Sequence, residues 1–142
     1  MNTPGKSSSV GYSGTPLPAK LGLKPGMRFV ALNAPPDLDV LLAGAPDLQR
    51  LARVGSFECA LAFATSERAL SAHFAKLAPK LLDAGMIWIA WPKKSSGVAT
   101  ELTEDAVRRA GLAAGLVDVK VCAIDATWSG LKFVRRLRDR RR

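Results

Sequence analysis

Histidine and tyrosine occur once each in 142 residues, cysteine twice, and no apolar run approaches the roughly 18 residues of a membrane-spanning helix. The single histidine, His73, has no thiol near it in sequence, which gives little support to a metal site or to a Ser/His catalytic pair. Cys59 and Cys122 lie far apart, each within an apolar run and neither in a Cys-x-x-Cys pattern, so both read as buried, reduced thiols of a cytoplasmic protein. Met1–Lys20 is polar and rich in Ser, Gly and Pro, without an apolar leader, so neither secretion nor membrane insertion is expected. Glycine itself is plentiful, yet no Gly-Lys-Ser/Thr ending or set of spaced glycines follows a strand, which excludes a P-loop.

Acidic residues are also few: 12 Asp and Glu against 21 Lys and Arg, a formal charge of +9. Much of the excess is local, because Arg135–Arg142 contains six arginines and one aspartate. Such a cluster reads first as a solvated tail. The alternative is association with nucleic acid through Arg135, Arg136, Arg138, Arg140, Arg141 and Arg142, with a steep salt dependence.

With 48% hydrophobic residues, a chain of this length supports one core. We expect a disordered segment over residues 1–12, one domain over 13–134 and the basic tail over 135–142. Met27–Asn33 is a compact apolar run stopped by Pro35-Pro36 and predicts the first strand. Asp37–Ala43 and Asp47–Val54 suit short helices, although the second suits a strand near Leu51–Val54 equally well. Phe57–Thr65 lacks strict alternation, as a strand covered on both faces does. Ser66 caps a predicted helix carrying Leu70, Phe74, Leu77 and Leu81 to Ala84-Gly85, with Pro79 shortening or kinking it. Met86–Trp91 is a third strand. A helix beginning near Thr103–Asp105 is expected to turn Val107, Ala110, Leu112 and Ala114 to the sheet. Val117, Val119 and Val121 alternate into a strand that runs to Ile124, and a last strand at Leu131–Val134 completes an antiparallel hairpin with Trp128-Ser129-Gly130 at its tip.

This order predicts an α/β, Rossmann-like architecture: a mostly parallel sheet with flanking helices and a C-terminal antiparallel hairpin. In such sheets ligands bind outside the carboxyl ends of the strands, which nominates residues 33–37, 65–67 and 91–97.

Leu21-Gly22-Leu23-Lys24-Pro25-Gly26 ahead of the first strand, Leu81-Leu82-Asp83-Ala84-Gly85 ahead of the third, Ala113-Ala114-Gly115-Leu116 and the closing hairpin resemble the class I S-adenosylmethionine-dependent methyltransferase core. That family's first strand normally delivers a glycine turn to the cofactor, where this chain has Asn33-Ala34-Pro35-Pro36. Proline fixes φ and has no N–H, so S-adenosylmethionine is not expected to bind and no cofactor is predicted. More closely, Tyr12–Leu17, Leu32–Pro35, Trp91–Lys94 and Thr127–Lys132 resemble an uncharacterised bacterial family of unknown function, which implies no activity.

The candidate ligand-binding residues are Asn33, Trp91, Lys93, Lys94, Ser95, Ser96 and Trp128. Lys93–Gly97 puts two cations, two hydroxyls and a glycine where a strand becomes a loop, a composition able to hold an anion or to be a plain solvated loop. Trp128 either packs on Trp91 and the N-terminal segment or lines a ligand surface, packing being favoured. Asn33 either meets a ligand or bonds to its own proline loop. Asp125 suits a turn better than acid–base work. The expected function is that of a non-catalytic or degenerate methyltransferase-like domain binding a small anionic ligand or a protein partner; an enzyme of unrecognised chemistry using Asp125 or His73 ranks last.

Overall fold

A computed structural model describes residues 15–140. The expected disordered segment over residues 1–12, the start of the Tyr12–Leu17 phrase, and Arg141 and Arg142 lie outside the described residues.

Six strands form one sheet in the order β2-β1-β3-β4-β6-β5, comprising β1 (Arg28–Leu32), β2 (Gln49–Arg50), β3 (Phe57–Phe63), β4 (Leu81–Pro92), β5 (Leu116–Ala123) and β6 (Trp128–Arg135). The pairings among β2, β1, β3 and β4 are parallel; β6 runs antiparallel to both β4 and β5. The α/β expectation and the C-terminal hairpin are therefore both observed.

The helices are α1 (Leu17–Leu21), α2 (Leu38–Leu41), α3 (Glu67–Leu77) and α4 (Glu104–Ala113). Leu70, Phe74 and Leu77 of α3 and Ala106 and Val107 of α4 pack on Ile87, Ile89, Trp91, Leu131 and Phe133 at one face of the sheet. On the other face Leu21, Leu23 and Leu42 cover Phe29, Leu61, Phe63, Trp88 and Ala90. The buried indole of Trp88 donates to the Leu21 carbonyl at 3.0 Å, which fastens α1 to the centre of the sheet.

Several local expectations are corrected. The helix expected to reach Ala84-Gly85 ends at Leu77; Pro79 shortens it, as expected, by entering a 3-10 turn at Ala78–Lys80 that cannot continue the hydrogen-bond ladder. The released residues Leu81–Gly85 begin β4 instead, so that strand has 12 residues. Its register against β3 shifts between Phe57↔Leu81 and Cys59↔Met86. Gly85 sits in that irregularity, where a Cβ would stand 2.9 Å from the Glu58 carbonyl. In the undecided 47–54 stretch the strand form holds, but at Gln49–Arg50 and only two residues long.

On α4 the sheet is met by Gly111 rather than Leu112, which is 41% exposed; a Cβ on Gly111 would overlap the Phe133 ring. Val119 and Val121 are about half exposed, since β5 is the sheet's edge and its register shifts between Asp118 and Lys120. Trp128-Ser129-Gly130 belongs to β6, and the turn is Asp125–Thr127, where the Asp125 carboxylate accepts from the Thr127 and Trp128 amides at 2.8 Å each. Cys59 is buried, which pushes its thiol up to about 12, whereas Cys122 is only half-buried.

Two ion pairs brace the frame. Glu58 of β3 accepts from the Arg28 backbone N–H and from two guanidinium nitrogens, at 2.7–3.2 Å. Asp118 of β5 accepts from Arg108 Nε of α4 at 2.9 Å. The hydrogen bonds from these arginines hold both carboxyl groups below their ordinary values, 4.5 for Glu58 and 3.8 for Asp118.

Two outcomes follow from this packing. Gly111→Ala lowers stability by about 1–3 kcal/mol through overpacking, seen as a lower urea midpoint at constant slope; an unchanged midpoint would mean that Phe133 moves aside freely. A carboxyl group depressed in the folded state adds stability above its unfolded pKa, and that stability is lost as pH falls through the folded value. The thermal midpoint of the wild type therefore falls below about pH 4.5 more steeply than that of Glu58→Gln, and parallel acid limbs would refute the assignment.

Candidate functional site

The chain leaves β1 for β2 on one side, then crosses back to β3 on the other. The carboxyl ends of β1 and β3 thus form the point at which strand order reverses, where open α/β sheets form a crevice. Asn33 directly follows β1 and has φ +54°, the one positive φ of a non-glycine residue among the described residues. Asn adopts this left-handed region more readily than other side-chain-bearing residues. Pro35 and Pro36 come after that bend, and the Pro35 carbonyl accepts from Leu38 N–H at 3.1 Å, turning the chain into α2.

Beneath Asn33 lies His73, 6% exposed on the sheet-facing side of α3. Its Nε2 stands 2.8 Å from the Phe63 carbonyl and 3.5 Å from the Asn33 amide nitrogen. Sequence reasoning set His73 aside for want of a partner of catalytic type. The available signal was its place on the apolar stripe with Leu70, Phe74 and Leu77: a buried imidazole needs a hydrogen-bond partner, and the neighbouring strand end supplies one.

The loop between β4 and α4 crosses the same edge. Thr100 donates to the Thr65 carbonyl at 2.6 Å, and Glu101 accepts from the Glu67 amide at 2.9 Å, at the first turn of α3. A carboxylate there is favoured by the helix dipole. Neither residue was among the candidates, since a polar loop residue carries no sequence mark of what it will bond to.

Of the candidate residues, Asn33, Lys93, Lys94, Ser95, Ser96 and Trp128 all fall at this edge, at the ends of β1 and β4 and the start of β6. Lys94–Ser96 is one 3-10 turn in which the Ser96 hydroxyl donates to the Lys93 carbonyl at 2.7 Å and accepts from the Val98 amide at 3.1 Å. Lys94 and Ser95 are exposed; the Lys93 amide donates to the Thr127 carbonyl, tying this turn to the β5–β6 turn. Trp91 is placed apart: it is buried on the α3/α4 face, whereas Trp128 lies on the opposite face, edge-on to Phe63 with ring centroids 5.0 Å apart.

Arg135 is the last residue of β6, and its guanidinium donates to the Ala78 and Leu81 carbonyls at 2.6–3.0 Å. Arg140 donates in turn to the Arg135 carbonyl. Arg136 and Arg138 lie in the same segment, Arg138 within 3.9 Å of Asp139. Among the described residues no group of three or more His, Cys, Asp or Glu side chains is placed to hold a metal, and no helix is long and apolar enough to cross a membrane. A cleft of about 380 Å³ opens between α3 and α4, lined by Ser71, Phe74, Ala78, Pro79, Ala110 and Ala114 among others, but no residue of the strand ends borders it. Polar groups converge at the crevice, so the candidate site is placed there.

No family model and no curated protein matches the chain, so the likeness to a family of unknown function rests on its quoted phrases alone. Solved structures do match. A ribosomal protein methylase from Lactobacillus delbrueckii subsp. bulgaricus is 11% identical with a TM-score of 0.54, over 84% of this chain and 75% of that one. Magnesium protoporphyrin IX methyltransferase from Synechocystis, with bound S-adenosylmethionine, is 14% identical with a TM-score of 0.56, over 84% and 74%. A 1,6-didemethyltoxoflavin-N1-methyltransferase from Burkholderia thailandensis, with bound S-adenosylhomocysteine, is 13% identical with a TM-score of 0.57, over 84% and 76%.

These structures overturn the expectation that S-adenosylmethionine does not bind, since matching structures of this fold hold that molecule or its demethylated product. The physical error was to assign the turn's conformation to the prolines, when Asn33 takes the left-handed φ a glycine would supply and the prolines follow it.

Replacing the ring that packs on Phe63, as in Trp128→Ala, lowers the unfolding free energy by about 1 kcal/mol beyond the apolar area lost. A full urea series checks this, and an unaltered midpoint would assign Trp128 to solvent. The chain has the Rossmann-like fold found in S-adenosylmethionine-dependent methyltransferases.

Proposed function

We propose that this methyltransferase-like domain binds S-adenosylmethionine, or S-adenosylhomocysteine, over the carboxyl ends of β1 and β3. The observation that supports the reading is Asn33 at φ +54°, a bend of glycine type at the strand-order reversal of a fold whose solved neighbours hold these ligands. A left-handed bend exposes the main chain of β1 to a ligand without an intervening strand-like side chain. Lys93 and Lys94 stand two strands away, roughly 10 Å at normal strand spacing, and offer positive charge to the ligand's carboxylate.

The reading is one of binding. Several polar side chains at this edge are occupied within the protein: His73 on Phe63, Glu101 on Glu67 and Thr100 on Thr65. Methyl transfer from a sulfonium needs an acceptor held in line with the breaking bond, and positioning is most of what a protein contributes to it. Transfer therefore depends on an acceptor brought to this edge, and binding is the activity that this domain carries by itself.

Thermal unfolding with each ligand tests the proposal. At a hundredfold excess over its dissociation constant a ligand adds about 2.7 kcal/mol to folded-state stability, a readily measured rise in midpoint. Asn33→Ala is expected to bind about tenfold more weakly than Asn33→Gly, because a left-handed alanine costs about 1–2 kcal/mol. No rise with either ligand at millimolar concentration refutes the reading.

A further inference from the structure

His73 is the one buried polar side chain among the described residues, and burial alone does not account for it. The positions that share its helix face hold Leu70, Phe74 and Leu77, and an aliphatic side chain would fill the place without an unmet polar atom. What the imidazole adds is reach to two strand ends at once, the Phe63 carbonyl of one and the Asn33 side chain beside the other. The 2.8 Å contact with a carbonyl puts the proton on Nε2, which donates to Phe63 at the end of β3. The Asn33 side-chain amide nitrogen stands 3.5 Å from the same Nε2; a ring nitrogen that already donates to Phe63 engages this amide through its oxygen, so the amide is assigned with Oδ1 toward the ring. One side chain of α3 thus holds both lips of the crevice, and through Phe63 it also supports the ring on which Trp128 rests.

We propose that His73 is a positioning residue: by bonding to Phe63 and Asn33 it fixes the left-handed bend of β1 against the end of β3, without itself touching the ligand. The proposal rests on the ligand reading above only for its effect on binding. The mechanical claim concerns the protein alone.

The test is a double-mutant cycle of His73→Leu and Asn33→Gly, with His73→Gln as the conservative variant, read by S-adenosylhomocysteine titration and by urea unfolding. We expect His73→Leu to weaken binding about tenfold and His73→Gln, which keeps an N–H donor, about threefold or less. In the Asn33→Gly background the loss from His73→Leu falls to about threefold, because glycine takes the left-handed region unaided and only the Phe63 anchor is lost. An equal fold-loss in both backgrounds, or no rescue by His73→Gln, overturns the proposal and leaves His73 as core packing. If the wild type binds no S-adenosylhomocysteine, the ligand reading fails, and the urea cycle decides the positioning claim: non-additive midpoints support it and additive ones overturn it. Should His73→Leu not fold, His73→Met takes its place in the same cycle.

Discussion

A strand that is apolar on both faces has to be covered twice, and β4 sets that requirement for the whole chain. Met86 through Trp91 are each 6% exposed or less, alternating between the two cores. Burying those side chains contributes roughly 1.5–3 kcal/mol for each large one, so neither layer of helices is dispensable. The same burial leaves polar atoms with no route to water, which is why the Trp88 indole must find the Leu21 carbonyl. With β3 and β6 on its two edges and helices on its two faces, β4 leaves only its ends open. At its carboxyl end the open region becomes the crevice edge.

The sequence showed β1, β3 and the core of β4 as continuous apolar runs, and Ser66 as a cap, because these signals are local. It misjudged what depends on partners. Leu81–Gly85 has helical spacing, and only the pairing of Leu81 with Phe57 makes it strand. Val119 and Val121 alternate as a buried face would, yet among the described residues β5 is the edge of the sheet and both stay about half exposed. Arg135 is one arginine in a run of them until β6 brings its guanidinium to two carbonyls more than fifty residues earlier.

The candidate site was legible as a place and not as a set of contacts. The rule of strand ends located Asn33 and Lys93 to Ser96 on one edge, where the hairpin residue Trp128 also falls, while Trp91 fell on the wrong parity of β4 to share a face with Trp128. A proline pair beside a strand reads as a closed door to a glycine turn. Conformation belongs to the single residue at the bend, and φ is not written in the residue name: asparagine reaches the left-handed region when its neighbours hold it there. His73, Thr100 and Glu101 act through bonds to main-chain atoms of distant residues, which leave no pattern in a sequence.

The antiparallel pairing of β4 with β6 has a consequence for the order of events in synthesis. The most buried strand receives its second edge partner from Trp128–Arg135, and the carbonyls at the α3–β4 corner receive theirs from Arg135. A nascent chain that has already displayed Met86–Trp91 must hold this apolar segment with one edge unpaired until some forty further residues have emerged. Folding cannot close from the front backwards. During that interval the half-sheet is the species most exposed to self-association, and the last strand ends its exposure.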